Sequence, residues 1–145
     1  MDSSSRRDFD RLLSKKGEAQ AKRLGEHVEG LSLELDALYV SPAKRTMQTA
    51  SLLMQALTAS PRLMDAEELY EATENVLKAV VNRFDQEFNA VALIGHNPSV
   101  SGLFNYLSTD FCSFTPGTCA WMSFEVDDWQ EISSNSGKVH GIFEP

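Results

Sequence analysis

Positive charge, histidine, cysteine and long apolar runs are all scarce in this chain. Lysine and arginine number 13 against 21 aspartates and glutamates, a formal net charge of −8. That balance excludes a face built for the nucleic-acid backbone, and no nucleic-acid partner is expected. It does not exclude an anion site, because a local arginine cluster governs binding at contact distance. Cys112 and Cys119 are the two cysteines. They lie in no metal or redox spacing, which predicts free thiols in a reducing compartment. No apolar run nears the roughly 20 residues of a membrane span, and residues 1–7 carry no apolar core of a signal peptide. No membrane is expected, and the cytoplasm is the expected location.

What is present suffices for one packed domain. An apolar share of 42% over 145 residues suits a single core, so residues 1–145 are read as one domain. Ser14 is placed to cap a helix from Lys15 to about Val28, with Gly30 just past its end. Ala37–Val40 reads as a strand, Pro42 to about Leu57 as a helix, and Arg62–Met64 as a short strand. Apolar residues recur at helical spacing from Glu74 to Phe88. Val91–Ile94 reads as a buried strand, Pro98–Leu107 as a helix, and Thr118–Val126 with Val139–Phe143 as a closing strand pair. Strands alternating with helices predict an α/β fold: a mostly parallel sheet flanked by helices, with a C-terminal antiparallel strand pair. The chain opens on a polar loop and a helix. A parallel unit ending at Leu38–Val40 calls for a strand before that helix, so a first strand is missing.

Two strand-to-helix corners carry the chemistry. Leu93-Ile94-Gly95-His96-Asn97-Pro98 ends an apolar strand on a histidine, and Leu38-Tyr39-Val40 runs into Ser41-Pro42-Ala43-Lys44-Arg45. Such corners are where α/β sheets place their ligands, beside unpaired helix amides. One offers a fixed cation, Arg45, and the other a titratable ring, His96. His27 and His140 have no motif around them and read as structural.

With those residues in view, the chain resembles the histidine phosphatase superfamily, and within it the small SixA-like phosphohistidine phosphatases. Asp8-Phe9-Asp10-Arg11-Leu12-Leu13-Ser14-Lys15-Lys16-Gly17 is similar to the family's D-x-x-R-P-L-x-x-x-G stretch, with Leu12 where proline is usual. Ser41 to Ala50 resembles its S-P-x-x-R-x-x-Q-T-A helix start, and Gly95-His96-Asn97-Pro98 its second-histidine turn. Phe114 to Ala120 resembles the segment before its closing strand pair. The resemblance implies a phosphoglycerate mutase-like fold and a phosphatase that works through a phosphohistidine intermediate, with no cofactor and no metal. It implies that Arg45 clamps the phosphoryl group, that His96 donates a hydrogen bond to it, that Asn97 orients the turn, and that Arg11 closes the cluster. For Arg11 a surface ion pair with Asp8 or Asp10 competes with that role.

The family's nucleophile lies in an R-H-G or R-H-A motif at the end of its first strand. Nothing before Asp8 carries a histidine here. The missing strand and the missing nucleophile coincide, so this chain is read as N-terminally shortened and catalytically impaired. Glu67, Glu68, Glu71 and Glu74 flank Tyr70 without a motif that assigns a general acid; they read as a solvated helix start. Because imidazole leaves more readily than an alkoxide, a phosphorylated histidine phosphotransfer protein is the expected partner. A non-catalytic phosphoprotein-binding module and a small-molecule phosphomonoesterase are the alternatives. An exposed sheet edge also predicts self-association.

Overall fold

In the computed structural model, which describes residues 3–145 and their side chains from Arg6 onward, three parallel strands stand between two helical layers. The central strand, β1 (Ala37–Val40), pairs with β2 (Arg62–Asp65) on one edge and β3 (Val91–Ile94) on the other, in the order β2-β1-β3. Ala37 lies level with Arg62 and Val91, and Val40 with Asp65 and Ile94. The strand alternation sorts side chains by layer. Leu38 and Val40, with Ala92 and Ile94, meet α2 (Lys15–Gly30) and α3 (Lys44–Ala56) through Leu24, Val28, Ala50 and Leu53. Tyr39, Val91 and Leu93 face the opposite layer, where α4 (Glu74–Asn82) and α5 (Ser99–Leu107) contribute Leu77, Val80, Val81, Leu103 and Leu107. Both faces of β1 are therefore covered, which is why Ala37, Leu38 and Val40 are fully buried.

Helix α2 begins where the sequence places it, with the Ser14 hydroxyl accepting from the Gly17 amide at 3.1 Å. It presses so closely on α3 that a Cβ added at Gly25 would stand 2.8 Å from that of Ala56. Only glycine fits that crossing. β4 (Cys119–Phe124) and β5 (Gly137–Phe143) form the antiparallel pair with a bulge at Trp121/Met122. The pair makes its own two-stranded sheet and is not hydrogen-bonded to β3.

Two elements differ from expectation. The N-terminal segment is a helix, α1 (Ser3–Asp10), rather than a polar loop; Met1 and Asp2 lie outside the described residues. Its order comes from tertiary contacts, with the Phe9 ring edge-on to Tyr70 at 5.1 Å and Lys44 3.5 Å from Asp10. Helix α4 stops at Asn82, not Phe88. Asp85 takes the Glu87 amide on its side chain and the Phe88 amide on its carbonyl, a turn that competes with the helical ladder. Phe84 and Phe88 still reach the interior from that turn. No helix among the described residues is long and apolar enough to cross a membrane.

Candidate functional site

The C-terminal ends of β1 and β3 lie side by side, so both corners open onto one place. Ser41 continues β1 by one residue, its amide donating to the Ile94 carbonyl at 3.1 Å. The turn into α3 is locked from within: the buried Thr46 hydroxyl engages the carbonyls of Ser41 and Ala43 at 2.9 and 2.8 Å. That lock puts Arg45 in the first turn of α3 with its side chain across the gap. On the other corner the Val100 amide donates to the His96 carbonyl at 3.0 Å, tying the histidine to the start of α5.

Arg45 and His96 meet. One guanidinium nitrogen of Arg45 stands 2.9 Å from Nδ1 of His96. A guanidinium only donates, so Nδ1 is an acceptor and the ring proton sits on Nε2. Nε2 in turn lies 2.7 Å from the hydroxyl of Ser41, which is fully buried. The ring is thus neutral and held at both nitrogens. Its acidity agrees with that tautomer: burial first, and the Arg45 charge second, push His96 below the ordinary histidine range, with Asp8 pulling partly the other way.

The other guanidinium arm turns to α1. It donates to the Asp8 carbonyl at 3.0 Å and stands 3.4 Å from the Asp8 carboxylate. The same carboxylate accepts from the Tyr70 hydroxyl at 2.8 Å. That bond, more than the neighbouring Arg45 and Arg11 charges, holds Asp8 below the usual carboxylate range, against an opposing effect of burial. Tyr70, set edge-on to His96 at 5.6 Å between ring centres, is pushed up to about 12 by desolvation and by Asp8. An internal carboxylate therefore lies on the cation that would hold an external oxyanion.

The remaining candidates stand apart. Arg11 makes the surface pair its sequence allows, 3.7 Å from Asp8 Oδ1, with its side chain 65% exposed. It touches the cluster only through Asp8. Asn97 faces the other way, donating to the Phe114 carbonyl and accepting from the Ser101 hydroxyl, and so braces the loop before β4. His27 stacks on Phe143, and His140 lies against Trp121 and Ser123. Ser41 and Tyr70 join the site without having been singled out. Ser41 read as a turn residue, and Tyr70 sits in an acidic run whose spacing carries no signal. Among the described residues no three histidine, cysteine or acidic side chains gather as metal ligands. Cys112 and Cys119 are free thiols, the latter pushed up by burial.

The titration of His96 gives a prediction. The unfolded ring takes a proton near pH 6.5, whereas the folded ring resists until lower pH. In that window the unfolded state binds more protons, so stability falls as pH falls. Histidine NMR should place the His96 midpoint below 6.5, and Arg45→Met should raise it. In urea unfolding, His96→Gln should flatten the loss of stability between pH 7.5 and 5.5. A wild-type midpoint at or above 6.5 would refute the downward pull of burial and of the Arg45 charge on the ring.

Comparison with known proteins places this geometry. The model of the histidine phosphatase superfamily (branch 1) matches residues 3–90, more than half of the chain. Nothing matches among curated protein sequences. Solved structures match closely in fold. One described as the phosphohistidine phosphatase SixA from Nakamurella multipartitia has a TM-score of 0.84 at 22% identity, covering 96% of this chain and 87% of its own. One so described from Agrobacterium tumefaciens gives 0.79 at 20% identity, with the same coverages of 96% and 87%. A protein histidine phosphatase SixA complexed with tungstate gives 0.78 at 21% identity, covering 93% and 85%. With two corners joined through a guanidinium and an imidazole, and the family model spanning α1 to the start of β3, this chain belongs to the histidine phosphatase superfamily, branch 1.

Proposed function

We propose that this chain carries the phosphoryl-binding half of a phosphohistidine phosphatase. The observation that carries the reading is the 2.9 Å contact between Arg45 and His96 at the adjoining ends of β1 and β3. Phosphoryl transfer asks mainly for donors fixed around three equatorial oxygens, with attacking and leaving groups in line. Arg45 supplies two parallel N–H donors, a geometry lysine does not copy. His96, neutral with its proton on Nε2, donates one more once Ser41 yields its place. The histidine phosphatase described as complexed with tungstate, a tetrahedral oxyanion, is in keeping with such a pocket.

Residues 1–145 do not complete the reaction on this reading. A nucleophile needs a free lone pair, and the histidine joined to Arg45 has Nδ1 engaged by the guanidinium and Nε2 protonated. A full cycle passes phosphorus from a substrate imidazole to an enzyme imidazole, and then to water, releasing inorganic phosphate. Among the described residues no second imidazole stands at the cluster, since His27 packs on Phe143 and His140 on Trp121. The substrate is a phosphorylated histidine phosphotransfer protein, since the imidazole leaving group needs no strong general acid, and among the described residues the cluster offers only Asp8, held below the usual carboxylate range, and Tyr70, pushed up to about 12.

The test is a radiolabelled phosphohistidine domain mixed with the chain, beside titration with tungstate. Tungstate binding that Arg45→Met removes, with label retained on the domain, is the expected result. Rapid label release would overturn the incomplete-site reading, and absence of tungstate binding the oxyanion reading. The engaged state of His96 also favours the second reading, a phosphoprotein-binding module. Saturable binding of the phosphorylated domain over its unphosphorylated form would support that. Turnover of a sugar phosphate in preference to the phosphohistidine domain would assign a small-molecule phosphomonoesterase instead.

A further inference from the structure

The Asp8 carboxylate marks out an anion position within the cluster. Its Oδ2 lies 2.8 Å from the Tyr70 hydroxyl and 3.4 Å from the Arg45 guanidinium, and its Oδ1 lies 3.7 Å from the guanidinium of Arg11. Three donors from three separate stretches of chain thus converge on one anionic group. Asp8 is the movable member of the set. Its side chain is 39% exposed and sits on the short helix α1, whose Asp10 reaches Lys44 of α3 at 3.5 Å. An anion held that way yields to one of higher charge, and a doubly charged tetrahedral oxyanion competes for the same N–H and O–H donors.

Tyr70 is the fixed member. It follows the single helical turn Glu67–Leu69, its amide donating to the Glu67 carbonyl at 3.1 Å. Glu71 behind it lies in the left-handed region at φ 54°, a conformation that non-glycine residues hold only where their surroundings impose it, and such residues gather at ligand sites. One residue further, the Ala72 carbonyl accepts from the Ser99 hydroxyl, which ties the turn to the first residue of α5. The Tyr70 ring is set edge-on to His96 at 5.6 Å. Its hydroxyl therefore keeps its place when Asp8 moves. With the phosphoryl reading above as its basis, we propose that Tyr70 is a further phosphoryl-binding residue: its hydroxyl bonds Asp8 in the unliganded protein, and bonds the incoming oxyanion once Asp8 has left Arg45.

The exchange has a signature that packing lacks. An oxyanion oxygen in the place of Asp8 Oδ2 receives one bond from Arg45 and one from Tyr70. The phenol brings no charge of its own. Pushed up to about 12, with burial as the largest cause, it keeps its proton through the neutral range and donates to whichever anion is present. In the wild type it gives up one anion for another, so its share of the affinity is masked. When residue 8 is neutral, the hydroxyl trades a neutral acceptor for a charged one, and its share becomes visible.

Calorimetric titration with tungstate at neutral pH reads that masking. Tyr70→Phe, which keeps the ring, should weaken binding by less than about threefold in the wild-type background. In Asp8→Asn it should weaken binding by at least about tenfold, the loss of one hydrogen bond to a charged group. A packing role would weaken both backgrounds alike, so equal effects overturn the proposal. A second measurement needs no variant and decides the matter if Tyr70→Phe fails to fold. NMR of the tyrosine ring carbon that bears the hydroxyl should show Tyr70 shifting as tungstate saturates the wild type. Tyr39, packed on Phe84, and Tyr106, beneath Lys78, should stay in place. An unmoved Tyr70 signal overturns the proposal. Tungstate binding that Arg45→Met removes and Tyr70→Phe leaves unchanged in Asp8→Asn overturns this inference alone, whereas absence of tungstate binding overturns the phosphoryl reading together with it.

Discussion

Replacing Arg45 with methionine should lower the affinity for tungstate or inorganic phosphate by about 100-fold, and replacement with lysine by at least about 10-fold. The first figure corresponds to losing two charge-assisted hydrogen bonds from a largely enclosed guanidinium, roughly 3 kcal/mol in all. The second reflects geometry rather than charge, since an ammonium keeps the charge and loses the planar fork. Asp8 sharpens the experiment. Its carboxylate lies 3.4 Å from the Arg45 guanidinium and its carbonyl 3.0 Å, so an incoming oxyanion must displace it or share the cation. Asp8→Asn removes the competing charge while keeping size and a partner for Tyr70. It should therefore raise oxyanion affinity several-fold, opposite in sign to the Arg45 variants. Calorimetric titration of the three variants beside wild type decides the matter. Equal affinities for wild type and Arg45→Met would mean that the oxyanion binds elsewhere, and a weakened Asp8→Asn would mean that Asp8 orders the site rather than blocks it.

Leu38→Ala should cost about 3 kcal/mol of folding stability, within the usual range of about 2–5 for a buried leucine. Leu38 lies on the middle strand and is fully buried, packed with Leu24, Val28 and Leu53 of the two helices over that face. A strand hydrogen-bonded on both edges has no freedom to move in and close the void, so relaxation is limited. Ile142→Ala makes the comparison, because Ile142 is 40% exposed on the closing pair and has little to lose. That variant should fall within about 0.5 kcal/mol of wild type. Urea unfolding monitored by circular dichroism separates the two. A Leu38→Ala cost below about 1 kcal/mol would mean that the sheet is loosely packed.

Particular residues show how much of this was legible beforehand. The Ser14 cap, the strand runs Ala37–Val40 and Val91–Ile94, and the helix after Pro42 are local statements, set by hydrophobic period and turn chemistry within a few residues. They coincide with observed elements to within a few positions. Helix α1 was not legible because its residues are polar and its order is borrowed from Tyr70 and Arg45, over sixty and thirty-seven positions away. The early end of α4 escaped for a related reason. Phe84 and Phe88 keep the helical spacing, yet Asp85 turns the backbone while both rings stay buried.

The site divides in the same way. Arg45 and His96 were marked by motifs, because a strand end followed by a helix start fixes where a side chain emerges. The protonation of His96, the entry of Ser41 and Tyr70, the placing of Asp8 on the Arg45 cation, and the orientation of Asn97 away from it were decided by tertiary structure alone. From α2 onward the sequence by itself determined the succession of strands and helices along the chain, the two corners and the family to which they belong. The neighbour order β2-β1-β3 and the residue-by-residue registers of the parallel pairs arose only when distant segments met. Backbone edges and ring nitrogens carry no record in the sequence of which partner will saturate them, and that choice made the cluster of Arg45, His96, Ser41 and Asp8.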